Sequence, residues 1–160
     1  MEVKPSFAPV VSSTTHTLIL GSLPGDRSLA VMEYYGHPRN RFWSLIAALS
    51  GEVLPDAYTD KLAMLLRHGY GLWDIVQEAE RKGSLDTAIK NERPNDIHLL
   101  LESYPTIERI AFNGKKAETL YYKHYSVLPS ITYLSLPSTS PANAVYNFDR
   151  LIREWEKLHY

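Results

Sequence analysis

The sequence predicts an α/β fold, a three-layer α/β/α sandwich around a mostly parallel sheet of about four strands. Three observations predict it. Four short β-prone runs, residues 17–20, 70–76, 107–112 and 131–136, recur along the chain. Stretches with apolar residues at spacings of three and four separate or follow them, as helices require. Three of the runs end in turn formers, at Gly21, at Asn113-Gly114 and at Pro137. Right-handed crossovers between such strands bring their carboxyl ends to one edge of the sheet, where folds of this class place their ligands.

The elements follow in order. After a polar, Pro-containing lead-in, residues 17–20 form a strand that ends at Gly21, and the loop beyond feeds a helix marked by Phe42, Leu45, Ile46 and Leu49 and stopped by Ser50-Gly51. A second helix follows Pro55-Asp56, with Leu62, Leu65 and Leu66 as its stripe and Gly69 closing it. Residues 70–76 are the second strand, Gly-Leu-Trp-Asp-Ile-Val at its heart, and the polar residues 77–95 read as short helices and loops. A helix over 96–103 leads into the third strand, 107–112, and a helix over 115–124 follows Asn113-Gly114. The fourth strand, 131–136, alternates Ile131, Tyr133 and Ser135 with Thr132, Leu134 and Leu136. The last helix starts near Pro141, which suits a first turn, and Val145, Phe148, Leu151, Ile152, Trp155 and Leu158 make its core-facing stripe. No internal repeat or low-complexity tract interrupts the pattern.

Composition narrows the function classes. The 160 residues, 44% of them hydrophobic, fit a single domain over 1–160 with its own core. The chain has no Cys, which excludes disulfides, thiolate zinc sites, a cysteine nucleophile and a Cys-held iron-sulfur cluster within it. His16, His37, His68, His98, His124 and His159 show no paired ligand spacing, so neither a metal nor another cofactor is expected. Residues 1–15 carry only Lys4 as a basic residue and no signal-peptide core, and no apolar run reaches the roughly 20 residues of a membrane span. A cytoplasmic monomer without a membrane partner is expected. The net charge of −1 gives no global positive field, so a nucleic-acid partner would need a local patch, for which His37, Arg39 and Arg41 are at hand.

Three segments carry polar chemistry at the predicted carboxyl edge. Gly21-Ser22-Leu23-Pro24-Gly25 lacks the spacing of a dinucleotide fingerprint, and Gly114-Lys115-Lys116 lacks the rest of a P-loop. The first segment is either an ordinary strand-to-helix turn or a loop that brings backbone N–H groups and the Ser22 hydroxyl to a ligand. In the second segment, Tyr35 is a ring suited to stacking and Asn40 a neutral amide that can hold a water by its carbonyl oxygen or donate to a base edge, while Phe42 and Trp43 read as core anchors. The third, Ser138-Thr139-Ser140-Pro141-Ala142, reads equally as a helix cap or a phosphate-binding loop. Asn113 is either a turn residue or a reader of a base edge.

In this order, and across nearly the whole chain, the three segments resemble the uracil-DNA glycosylase superfamily. Through His37, Pro38, Asn40, Arg41, Phe42 and Trp43 the chain is similar to mismatch-specific uracil glycosylases. Through Gly21-Ser22, Pro24-Gly25, Tyr34-Tyr35-Gly36 and Leu136 to Ala142 it looks closer still to the hypoxanthine-DNA glycosylase branch. One departure stands out: the uracil-specific branches carry Asp or Asn where this chain has Ser22, a shorter group and a weaker acceptor. The resemblance to the hypoxanthine branch implies that the catalytic amide comes from the second segment, at Asn40.

The resemblance implies a monofunctional glycosylase that flips a deaminated base, hypoxanthine first, out of DNA and hydrolyses its N-glycosidic bond in base excision repair. Asn40 holds the water, and Ser22 either assists it or contacts the base. Gly21, Leu23, Pro24, Gly25, Tyr35 and Asn113 bind the base, with Tyr35 stacking on it. Ser138, Thr139, Ser140 and Arg39 grip the DNA backbone, and Pro141 or Ala142 enters the vacated stack. Three other readings stand beside it: a mismatch-specific uracil-DNA glycosylase, a non-catalytic damaged-DNA binding module, and, last, a serine hydrolase, which lacks the Gly-x-Ser-x-Gly elbow.

Overall fold

The computed structural model describes residues 3–159. In chain order its strands are β1 (Val3–Pro5), β2 (Thr17–Gly21), β3 (Tyr70–Asp74), β4 (Val76–Glu80), β5 (Lys90–Pro94), β6 (Arg109–Asn113) and β7 (Thr132–Leu136). Its helices are α1 (Asp26–Val31), α2 (Phe42–Ser50), α3 (Tyr58–Arg67), α4 (Ile97–Ser103), α5 (Lys115–His124) and α6 (Phe148–Trp155), with short 3-10 turns at Asp86–Ala88 and Glu156–Leu158.

The four expected strands form one sheet, wholly parallel, in the order β3-β2-β6-β7. Central strands β2 and β6 are buried on both faces because helices cover both. Leu18, Leu20, Ile110 and Phe112 pack with Leu100 of α4 and Leu120 and Tyr121 of α5. On the opposite face Ile19, Leu72 and Ala111 meet Phe42 and Ile46 of α2, Leu65 of α3 and Trp155 of α6. These are the three layers the sequence predicts. Register sets the rest: Gly21 lies opposite Asp74 and Asn113 opposite Leu136, so the first and third segments and Asn113 leave the sheet at one edge. Among the described residues no helix is long and apolar enough to cross a membrane.

Three expectations need correction. Residues 77–95 hold, besides the turn at Asp86–Ala88, two strands of a second sheet, antiparallel in the order β1-β4-β5. Register shifts in β4 bury both Val76 and Ala79, three residues apart, and thereby erase the two-residue period; β5 exposes nearly every side chain. The expected strand 70–76 divides at Ile75, whose N–H donates to the Gly21 carbonyl at 2.8 Å while the Val76 N–H reaches that of Ser22 at 3.1 Å. The final helix starts at Phe148, seven residues after Pro141, under an Asn147 cap whose side chain accepts from the Arg150 N–H. Val145 is consequently 75% exposed and no part of a stripe. The short helix α1, between the first and second segments, has no counterpart in the sequence reading.

Candidate active site

A cleft of about 880 Å³ opens at the carboxyl edge of the parallel sheet, lined by all three segments together with Asp74 and Asp86. That volume lies in the range of small-ligand sites. Gly21 forms its floor. A Cβ there would stand 2.7 Å from Asp74 Oδ1 and 3.1 Å from the Tyr35 hydroxyl, so only glycine lets the strand end approach both. Tyr35 itself takes a left-handed backbone (φ 55°) and stacks on Phe42, ring centroids 4.2 Å apart. A base can therefore stack only on its other face. Burial, and then the charge of Asp74, hold the Tyr35 phenol well above its ordinary range, so it stays neutral. Phe42 and Trp43 are core anchors, the Trp43 indole N–H donating to the Tyr34 carbonyl at 2.8 Å.

Asn40 and Asn113 meet through Thr139. The Asn113 amide donates to Thr139 Oγ1 at 3.1 Å while its oxygen accepts from the Thr139 backbone N–H at 3.0 Å. Thr139 Oγ1 in turn donates to Asn40 Oδ1 at 2.9 Å, and the same oxygen accepts from the Phe42 N–H at the start of α2, also at 2.9 Å. Two expectations change. Thr139 is fully buried with its polar atoms bonded inward, so it braces the loop instead of gripping DNA. Asn113 is first an anchor for that loop, with one N–H and one lone pair left over. Asn40 presents Nδ2 to the cleft, because both lone pairs of its oxygen are engaged.

Arg41 corrects another expectation. Its guanidinium is turned onto backbone carbonyls of the third segment and the residues after it, those of Ser140 (2.9 Å), Asn143 (3.1 Å), Tyr146 and Thr139. It cannot serve a phosphate while it holds them. Those bonds, with Asn143 Nδ2 donating to the Ser138 carbonyl at 3.0 Å, turn residues 141–147 away from a helical path. Ser138 and Ser140 accept from the N–H groups of Ser140 and Ala142, which leaves their hydroxyl hydrogens for a ligand. Pro141 is half-buried and Ala142 exposed on the cleft wall. Arg39 is exposed but outside the cleft lining, whereas Arg27, Lys115 and Lys116 line it, with His37, and supply the local cationic rim that the net charge conceals.

Ser22 also has a partner that the sequence does not disclose. Its hydroxyl donates to Asp86 Oδ1 at 2.6 Å, across 64 positions of chain. Beside this pair, Asp74 at the end of β3 is 4% exposed and its Oδ2 is buried with no hydrogen-bond partner. Burial chiefly, then the charge of Asp86, push the Asp74 carboxyl up to about 7, with Arg81 opposing them. Arg81 is itself fully buried and donates to the carbonyls of Pro24 and Gly83, which ties the Leu23-Pro24-Gly25 loop to the second sheet. Asp74 was legible only as a strand residue, and Asp86 lay in a polar stretch with no motif.

Comparison with known proteins agrees with this arrangement. The profile of the uracil DNA glycosylase superfamily matches residues 8–159. A hypoxanthine DNA glycosylase of Methanosarcina acetivorans is 40% identical over 157 residues, 96% of each chain. One of Methanosarcina barkeri is 44% identical over 115 residues, 71% of this chain and 73% of that one. A solution NMR structure of a Methanosarcina acetivorans protein, provisionally described as a uracil DNA glycosylase, superposes with a TM-score of 0.82 at 39% identity, covering 98% of this chain and 96% of its own.

Proposed function

This chain belongs to the uracil DNA glycosylase superfamily, and from that premise we propose that it is a DNA glycosylase that flips a deaminated base, hypoxanthine first, out of DNA and hydrolyses its N-glycosidic bond. The observation that carries the reading is the Asn40–Thr139–Asn113 network, which locks three segments far apart in sequence around one cleft at the strand ends. The relatives named as hypoxanthine DNA glycosylases support the choice of base.

Flipping costs a few kcal/mol and least for a poorly paired base, so deamination itself favours extrusion. The extruded base stacks on the free face of Tyr35 over Gly21. Asn40 fixes the attacking water by donating from Nδ2, since its oxygen is engaged. The developing sugar cation is stabilised by carboxylate charge already oriented in the cleft. Ser138 and Ser140 offer hydroxyl donors to the DNA backbone, Arg39 and the Lys115–Lys116 rim add charge, and Pro141 or Ala142 faces the gap in the stack.

The test is cleavage of matched oligonucleotides that each carry one hypoxanthine, uracil or xanthine, with alkali added afterwards to open abasic sites. Dominant hypoxanthine release supports the reading. Dominant uracil release points instead to a uracil glycosylase of the mismatch-specific kind; the description of the solved structural relative names uracil as the base. Silence on all three from a folded protein that binds these duplexes leaves a damage-binding module.

A further inference from the structure

Hydrolysis needs an acceptor for the proton that the attacking water loses, and Asn40 is not one. An amide oxygen has two lone pairs, and those of Asn40 accept from the Phe42 N–H and the Thr139 hydroxyl. An N–H donor can hold a water but cannot take its proton.

Three carboxyl groups line the cleft, Asp74, Asp86 and Glu154, and that of Glu154 on α6 is paired with Lys157 at 3.2 Å. When two carboxyls lie close, the more deeply buried one keeps its proton and the other carries the charge. Asp74 is the buried one. Asp86 stands half-buried at the start of its short turn and caps no helix; among the described residues its carboxylate accepts one hydrogen bond, from Ser22. The charged and titratable groups that face it are Asp74 from β3, Arg81 beyond β4 and Tyr35 from the loop after α1. Arg81 is the cation among these groups, and Asp74 is the carboxyl that burial keeps protonated up to about pH 7.

We propose that Asp86, held in place by the Ser22 hydroxyl, is the carboxylate that takes the proton from the attacking water. The assignment rests on the glycosylase reading. The water oxygen forms its bond to C1′ of the deoxyribose as the C1′–N bond breaks and its electron pair leaves on the base. The water's proton moves to the free oxygen of Asp86 and returns through solvent to the departed base, which regenerates the carboxylate. Ser22 is then a positioning residue: this chain has a hydroxyl at that place in the first segment because its carboxylate comes from the turn at Asp86–Ala88.

Single-turnover excision of hypoxanthine from a labelled duplex, followed against pH, tests the proposal, with binding measured on a duplex carrying a tetrahydrofuran abasic analogue. Asp86→Asn keeps an acceptor for Ser22 but cannot take a proton. Its rate should fall about 100-fold or more, its acid limb should vanish, and binding should hold within about 3-fold. Ser22→Ala removes a donor that favours the ionised carboxylate, so the midpoint of the acid limb should move to higher pH along with a fall in rate of about 10-fold. Asp86→Asn excising within about 3-fold of wild type, or a Ser22→Ala limb that stays put or moves down, overturns the assignment. A wild-type protein that excises none of the three deaminated bases refutes the glycosylase reading instead, so the two failures are distinguishable.

Discussion

Replacing Asp74 by Asn should make the protein more stable, and by an amount that depends on pH. The buried carboxyl holds its proton to about pH 7, whereas the unfolded chain releases it near the usual 3.8. Between those limits the native state binds more protons, so stability declines as pH rises through the window and the loss is complete above it. At about 1.4 kcal/mol for each tenfold change in proton affinity, the penalty reaches about 4 kcal/mol at pH 8 and falls below about 2 kcal/mol at pH 5. The introduced amide forfeits part of the gain, about 1–3 kcal/mol, if its N–H stays unsatisfied where Oδ2 of Asp74 now lies without a partner. The net expectation is about 2 kcal/mol of stabilisation at pH 8, a rise of about 4–8 °C in Tm for a chain of this length, and close to nothing at pH 5. Thermal and urea unfolding followed by circular dichroism at the two pH values measures it. A gain at pH 5 that equals the gain at pH 8, or destabilisation at pH 8, would refute the argument.

Other expectations follow from the same geometry. Arg41→Met should release the third segment, costing about 2–3 kcal/mol and raising amide exchange across residues 138–147, where Arg41 now holds the carbonyls of Ser140, Asn143 and Tyr146; unaltered exchange there would show that the loop stands without it. Thr139→Val keeps the volume but removes the hydroxyl between Asn113 and Asn40, so it should cost about 1–3 kcal/mol in urea unfolding and depress excision more than DNA binding, whereas equal losses of both would mean that the network serves only the fold. Tyr35→Ala should weaken excision more than Tyr35→Phe, because the ring and not the neutral phenol meets the base; equal effects would assign the contribution to the hydroxyl.

The legibility of this chain divides along a physical line. Residues 17–20 and 107–112 could be read as strands because the central strands of a covered parallel sheet are apolar throughout, and their ends at Gly21 and Asn113-Gly114 are stated by turn chemistry. The strands β4 and β5 of the second sheet carry no such signal, since bulges and exposure remove the alternation that would announce them. Asn40, Tyr35 and the third segment were legible as candidates from residue type and order, but their roles depend on partners: Arg41, a phosphate candidate in the sequence, turns onto carbonyls, and Thr139 turns inward. Asp86 was invisible because its meaning lies in a contact with Ser22 that the chain closes only by folding the second sheet against the first loop. Pro141 misleads as a helix start because the guanidinium and side-chain amide that redirect residues 141–147 are distant groups whose bonds no local propensity records.

Free base released from a duplex carrying one hypoxanthine, compared between wild type and Asn40→Asp, tests the chemistry of the cleft most directly. The substitution keeps an oxygen for the Phe42 N–H and the Thr139 hydroxyl, so the scaffold remains, but it removes the Nδ2 donor that faces the cleft. Wild type should release free hypoxanthine in amounts equal to the alkali-labile sites formed, and Asn40→Asp should release it at least about 100-fold more slowly. Wild type that forms no free hypoxanthine, or Asn40→Asp that matches wild type, would contradict the account.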